Sequence, residues 1–442
     1  MPPSVSLFGP GTEEYDDATS THNSSGSQHP ALVARPRDAA EVGEFVREAA
    51  RRGLRLLPQA TGHGAGGVVG DDVIVLDTSG LDSLAIDPTS RTVVAGARLT
   101  RGEVNPAAER HGLLGLAGSW PTVGVGGYTF GGGIGWLCRP HGTAASALRS
   151  VQYVDGAGHL RRAADDAEDE VDREALFAFR GGGGVGVATA LELDLVPVDD
   201  LHAGYLLWPA ERLEAVVSAW SSTLPEAAVD VATSISVLHT PQAPPFPEEL
   251  RGTAVVHLAL SASLGAAGAA PLLAAVRAAA PPLVDTWGPS DAARLAQVHL
   301  DPPAATPAIG DARWLTGGTP DHAVDILSAA RSDDTPVVLL EIRNVANQAP
   351  TRPGAATSVG GPFVVHAVAP LTTPGARSGI DAALGRLRDV VAPVDTGRRL
   401  GSWVEGATSV PDGLAPEVRL RVAAAADRVD PAGTIVRNRL LR

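Results

Sequence analysis

Residues 31–198 alternate short apolar runs with helical patterns. Residues 31–35 predict a strand. Asp38 then opens a helix, and Glu41 three positions on gives the spacing of a capping box. Val42, Phe45, Val46 and Ala49 repeat at helical spacing and would face a core. Further strands are predicted at 54–58 and 73–77, and residues 84–87 and 92–97 read as a hairpin turning at 87–90. A helix follows over 102–111, a second hairpin over 148–154 and 159–162, a helix over 174–179 and a long strand over 186–197.

Beyond 197 the rhythm changes. Glycine clusters thin out and proline-rich linkers enter at 241–247 and 301–307. Strands are predicted at 253–262, 336–345 and 362–368, and helices at 271–280, 322–330 and 379–391. Two or three long strands with amphipathic helices predict an antiparallel sheet covered by helices on one face, so a domain boundary falls near residue 200. Residues 416–442 read as a helix stopped by Asp430-Pro431, then a basic tail. The fold class is α+β.

Composition narrows the function. Net charge is −15, and arginines occur only in pairs and scatters such as Arg51-Arg52 and Arg398-Arg399, so nucleic acid and anionic membranes are not expected partners. All basic side chains are arginine. That excludes a Schiff-base lysine and a P-loop lysine. The one cysteine, Cys138, can form neither an internal disulfide nor a thiolate metal cluster, and no metal site is expected. Apolar runs are too short to span a membrane, and residues 1–11 do not read as a signal peptide, so a cytoplasmic protein is expected.

Glycine carries the strongest signal. His63 lies in Gln-Ala-Thr-Gly-His-Gly-Ala-Gly-Gly, residues 59–67, and residues 118–136 form a second run, Gly-Ser-Trp-Pro-Thr-Val-Gly-Val-Gly-Gly-Tyr-Thr-Phe-Gly-Gly-Gly-Ile-Gly-Trp. Such loops let main-chain amides approach a pyrophosphate closely. The windows 62–67 and 181–186 also fit G-x-G-x-x-G. The first leads into a strand, and the second has its helix before and its strand after, so a nicotinamide-binding Rossmann unit is not predicted.

With Leu-Phe-Ala-Phe-Arg-Gly-Gly-Gly-Gly-Val-Gly-Val-Ala-Thr at 176–189, these loops resemble the berberine-bridge-enzyme-like flavin oxidases of the vanillyl-alcohol-oxidase superfamily. The resemblance covers 28–198 and returns at 429–438, similar to that family's closing DP-x-G-x-x-x-x-N segment. It implies a two-domain fold: a PCMH-type FAD-binding domain from 1–200 and 405–442, and an inserted antiparallel-sheet substrate domain from 201–404. It further implies FAD held monocovalently by His63 through the flavin 8α-methyl, with Thr61, Gly62 and Gly64 beside it. Thr122, Gly124, Val125, Gly126, Gly127, Gly131, Gly132 and Gly133 would lie over the pyrophosphate, and Gly184, Gly186 and Val187 near the adenine and isoalloxazine. Trp120 stands where many relatives carry a cysteine for a second flavin bond, which excludes that bond. Trp403 and Glu405 replace a usual tyrosine and asparagine.

Flavin oxidation of an alcohol needs a base for the hydroxyl proton. Tyr128, inside the glycine run, is one candidate, with packing as its alternative role. Glu341 and Arg343 alternate onto one strand face, with His366 on a plausible neighbouring strand. They would line a pocket or form a salt-bridged solvent face. Glu405 is the fourth candidate. The implied reaction is oxidation of an alcohol, sugar or natural-product intermediate by hydride transfer to flavin N5, with oxygen as acceptor. Two alternatives stay open: the same fold used for a non-redox rearrangement or cyclisation in secondary metabolism, and a non-catalytic ligand-binding protein.

Overall fold

The computed structural model describes residues 6–442 apart from 244, 245, 303, 348, 350 and 374. Parts of both proline-rich linkers, and residues 1–5, therefore lie outside the described residues. Among the described residues no helix is long and apolar enough to cross a membrane.

The N-terminal half carries two main sheets, of four and five strands. In the first, Leu32–Ala34, Val73–Asp77 and Arg55–Gln59 run parallel, with Leu7–Phe8 antiparallel at the edge. The helix Ala39–Arg52 packs Val42, Phe45, Val46 and Ala49 onto it, as their spacing predicts. Asp38 caps this helix by accepting from the Glu41 N–H. The capping box is only half made, because the Glu41 carboxylate takes the Arg37 N–H at 2.8 Å rather than that of Asp38.

The second sheet is antiparallel, in the order Leu160–Ala164, Leu148–Val154, Val187–Asp194, Thr92–Gly96, Leu84–Asp87. Both predicted hairpins are present in it. The long strand predicted over 186–197 is broken at Leu195, after which Val196–Pro197 leaves the sheet to pair with Leu113–Leu114. The helix Pro416–Val429 docks on Glu170–Phe179, burying Val422, Ala425 and Ala426 with Leu176 and Phe179.

Residues 202–399 build a larger antiparallel sheet than the two or three long strands expected. It has nine strands, in the order Val284–Asp285, His202–Pro209, Ala254–Ala262, Val231–His239, Leu339–Asn344, Phe363–Pro370, Ala308–Leu315 and Asp395–Arg399, with Gly288–Pro289 also on His202–Pro209. Period-two alternation gives it two unlike faces. Ile235, Val237, Leu258, Leu260, Leu340, Ile342 and Val365 pack under the helices Leu213–Thr223, Ala270–Ala279, Thr319–Ser328 and Ala376–Val391. The opposite face carries Ser234, Ser236, His257, Ser261, Glu341, Arg343 and His366. It is covered by the glycine-rich region: Leu114, Leu116, Tyr128, Trp136 and Leu137 pack against Ala203, Ala232 and Ala259.

Candidate active site

The site lies where the two glycine runs meet this polar sheet face. Near the first run, a Cβ on Gly124 would stand 3.3 Å from Ala60, so the loops around His63 and Gly124 touch. Gly66 and Gly67 are pressed against Gly406, Ala407 and Thr408, and Gly131 against Ser402. Four segments thus converge: 21–25, 59–67, 118–136 and 401–408.

His63 points its Nε2 at Thr122 Oγ1, 2.8 Å away. His22 stacks on its ring with centroids 3.8 Å apart and planes 21° from parallel, and Trp120 stands edge-on to both. Burial disfavours the charged ring, and His22 adds to that while Asp301 opposes it; the His63 pKa falls to about 3. The imidazole is therefore neutral across the physiological range.

The glycines divide by surroundings. A Cβ at Gly64 or Gly127 would meet nothing within 4 Å, so open space adjoins both loops. Gly62 packs on Thr21, Gly132 lies near Ala356, and Gly133, at φ 71°, abuts Ala144 and Tyr128. Thr61 sits beside Gly124. Val125 and Val187 are fully buried core residues, Gly126 faces Phe130, Gly184 faces Phe130 and Phe179, and Gly186 faces Tyr153. These last five shape the loops from behind. Asn438 clips the third glycine run, donating to the carbonyls of Gly182 and Gly184 at 3.0 and 3.2 Å.

The open space beside Gly64 and Gly127, the neutral His63 and the buried, unpartnered Ser25 and Ser402 hydroxyls suit a large ligand bound through main-chain groups. FAD fits that description.

The sheet supplies the second half of the site. Cα pairing places His257, Ser236, Glu341 and His366 side by side in one row across four strands. The solvated reading of this face is corrected: Glu341 is fully buried and Arg343 is 2% exposed, because the glycine-rich region covers them. Glu341 accepts from Ser234, from Arg343 at 3.0 Å, and from His366 Nδ1 at 3.3 Å. Burial would raise its pKa, but Arg343, His299 and His366 prevail and hold it well below the usual carboxylate range. Arg343 lies 4.6 Å from the ring centres of both Trp136 and Trp403, and Trp403 is 5.1 Å from His366. His366 Nε2 and Trp136 Nε1 are buried without a partner.

Two other candidates stand apart from this row. Glu405 takes a hydrogen bond from Asn23 at 3.0 Å, in the seam between segment 21–25 and the strand Ala308–Leu315. Tyr128 packs in the core among Gly118, Gly133 and Gly135, its hydroxyl buried without a partner; burial raises its pKa.

Sequence reasoning missed His22, His257, His299 and Asp301. The serine alternation of Val231–His239 was a usable signal for the polar face. The two histidines of the irregular segments, His22 and His299, carry no periodic signal.

Residues 30–164 match the family model described as FAD binding domain. Over 215 residues the chain is 29% identical to (R)-6-hydroxynicotine oxidase of Paenarthrobacter nicotinovorans, covering 48% of this chain and 46% of that protein. The matched stretch thus spans less than half the length of that relative. Two solved structures share the whole fold. 6-Hydroxy-D-nicotine oxidase of Arthrobacter nicotinovorans superposes at a TM-score of 0.82 with 22% identity, covering 98% of this chain and 96% of that one. Physcomitrella patens BBE-like 1 superposes at 0.81 with 18% identity, covering 99% and 97%. Residues 30–164 thus carry an FAD-binding domain, and the whole chain has the fold of these FAD-linked oxidase structures.

Proposed function

We propose that the protein oxidises a small hydroxylated substrate, an alcohol, sugar or natural-product intermediate, with oxygen as final acceptor. Residues 1–200 and 405–442 would hold FAD, tethered at His63, and residues 201–404 would hold the substrate. Bound FAD supplies the hydride acceptor at N5. The chain's own residues supply the rest.

His366 is the base in this reading. Its Nδ1 faces the Glu341 carboxylate, so Nδ1 carries the proton and Nε2 keeps its lone pair. That Nε2 atom, buried and unpartnered beside Trp403, is the observation that carries the proposal. A substrate hydroxyl there would give it the missing hydrogen bond and then its proton. Glu341 orients the ring and stabilises its charged form. It is a poor base itself, since Arg343 and His299 keep it ionised. Arg343 lies over the rings of both Trp136 and Trp403, and the three would form one wall of the substrate pocket. His63, neutral beside Thr122, is the nucleophile a covalent flavin bond requires.

The test is spectroscopic. Protein as purified should be yellow, and anaerobic mixing with a panel of primary alcohols, secondary alcohols and monosaccharides should bleach the flavin with at least one class. A yellow protein that no member bleaches, yet which converts one of them without oxygen uptake, would replace oxidation with a non-redox reaction.

A further inference from the structure

Arg101, the first residue of the helix Arg101–Glu109, carries a buried charge that no carboxylate answers among the described residues. The buried arginines there are Arg101, Arg139, Arg180 and Arg343. Arg180 pairs with Asp165 and Arg343 with Glu341, and Asp230 acts on Arg139. Arg101 has the hydroxyl of Thr129, to which it donates at 3.2 Å, and the ring of Tyr128, 5.6 Å away. Its Nε is buried without a partner. Tyr128 is not the missing anion, since burial drives its pKa upward and keeps the phenol neutral.

The chain nonetheless makes room for this guanidinium. A Cβ on Gly115 would stand 2.8 Å from Arg101 Nη1 and 3.1 Å from Asn105 Oδ1. Asn105 fixes Gly115 there, accepting its N–H at 2.9 Å and donating to its carbonyl at 3.2 Å. Burial of an unpaired charge is unfavourable. It lowers the Arg101 pKa to about 10, which still leaves the group charged at neutral pH.

The second glycine run lies directly against it. The Arg101 N–H donates to Val123 O, that of Gly102 to Pro121 O and that of Val125 to Leu99 O. These bonds strap residues 99–102 to the start of the short helix Val125–Phe130. Thr129, which takes the Arg101 hydrogen bond, is fully buried, while Gly127 is exposed and a Cβ there would meet nothing within 4 Å. Positions two apart on a helix lie roughly 200° apart around its axis. The guanidinium and the open space beside Gly127 therefore stand on opposite sides of one helix.

We propose that Arg101 is the counter-charge for the cofactor's diphosphate, acting through the helix Val125–Phe130 and not by contact. The inference rests on the reading that residues 1–200 and 405–442 hold FAD, with its diphosphate at the second glycine run. Glycines offer such an anion main-chain N–H groups and no side-chain charge. A fixed positive charge behind them, in low-dielectric surroundings, stabilises the anion without touching it. Arg101 is thus a positioning residue for the dinucleotide. Its desolvation weighs on the apoprotein and is relieved once the anion is bound.

The test separates charge from packing. All measurements are made in a His63→Ala parent, where FAD exchanges whether or not a tether forms in the natural chain. There, Arg101→Met keeps most of the buried volume and removes the charge. Titration calorimetry should show FAD and ADP both binding about tenfold more weakly, or worse. The urea midpoint of the apoprotein should rise, because an unpaired buried cation is gone. Arg101→Lys, which keeps the charge, should recover most of the affinity. Arg101→Gln takes the place of the methionine variant should that one fail to fold. An arginine with only a structural role would instead lower the apoprotein midpoint when replaced. That result, or equal FAD affinity in parent and Arg101→Met, overturns the proposal. A loss confined to FAD, with ADP unaffected, would put the charge to work on the flavin ring and overturns it equally. A parent that takes up no FAD ends the cofactor reading, and this inference with it.

Discussion

His366 and Glu341 are direct Cα partners on the adjacent strands Phe363–Pro370 and Leu339–Asn344, and their side chains meet at 3.3 Å. The two are nevertheless unlike in burial. Glu341 holds Arg343 and His299 with no solvent nearby, whereas His366 is only partly enclosed. Glu341→Gln should therefore cost about 3–5 kcal/mol of stability by leaving buried cations unpaired. His366→Asn should leave the fold near normal and lower turnover by about 10²- to 10⁴-fold. Urea unfolding and steady-state rates check both, and comparable destabilisation by the two would contradict this division of labour.

A covalent bond at His63 is read from colour. Acid-precipitated protein should retain the yellow in the pellet, and His63→Ala should move it to the supernatant while the folded variant still binds FAD. Since the His63 pKa is about 3, the ring is already neutral at pH 6, and attachment should not lose rate between pH 8 and pH 6 through its protonation. A steep loss over that range would show that the ring titrates much higher.

The buried histidines set opposite pH slopes. His299 binds its proton more tightly folded than unfolded, so its contribution is fully present below about pH 6.5 and is lost as pH rises through about 10. His257 is held neutral, so its contribution is present above about pH 6.5 and is lost as pH falls toward 3. Thermal scans should show Tm declining from pH 7 to 10, and His299→Asn should flatten that decline. An unchanged alkaline slope in the variant would argue against a charged His299.

Asn438 joins distant parts of the chain. Asn438→Ala removes its two bonds to the Gly182 and Gly184 carbonyls and should cost about 1–3 kcal/mol. The urea midpoint should fall, and the apoprotein should take up FAD more weakly than the parent. Unaltered FAD affinity would mean the 181–186 loop does not depend on the clip.

Much of this was legible in the chain because periodicity and glycine density leave local signatures. The Ala39–Arg52 helix, both hairpins and the shared face of Glu341 and Arg343 follow from spacing, whereas the register that sets His366 opposite Glu341 does not. The strands His202–Pro209 and Ala308–Leu315 did not, since Gly204, Gly310 and their charged flanks blur the alternation. His299 and Asp301 lie in irregular backbone and meet only because Leu300 adopts a left-handed turn, which no pattern announces. The buried state of Arg343 was also hidden: alternation assigns a face, but not what covers it.

The clip at Asn438 sets an order of events in biosynthesis. Its contact to Gly182 spans 256 positions. A chain emerging from the ribosome exposes the third glycine run long before the residue that fastens it, with the nine-stranded sheet made in between. The final form of this loop must therefore wait until after translation of residue 438, and nascent chains halted earlier should hold the dinucleotide more weakly than the finished chain.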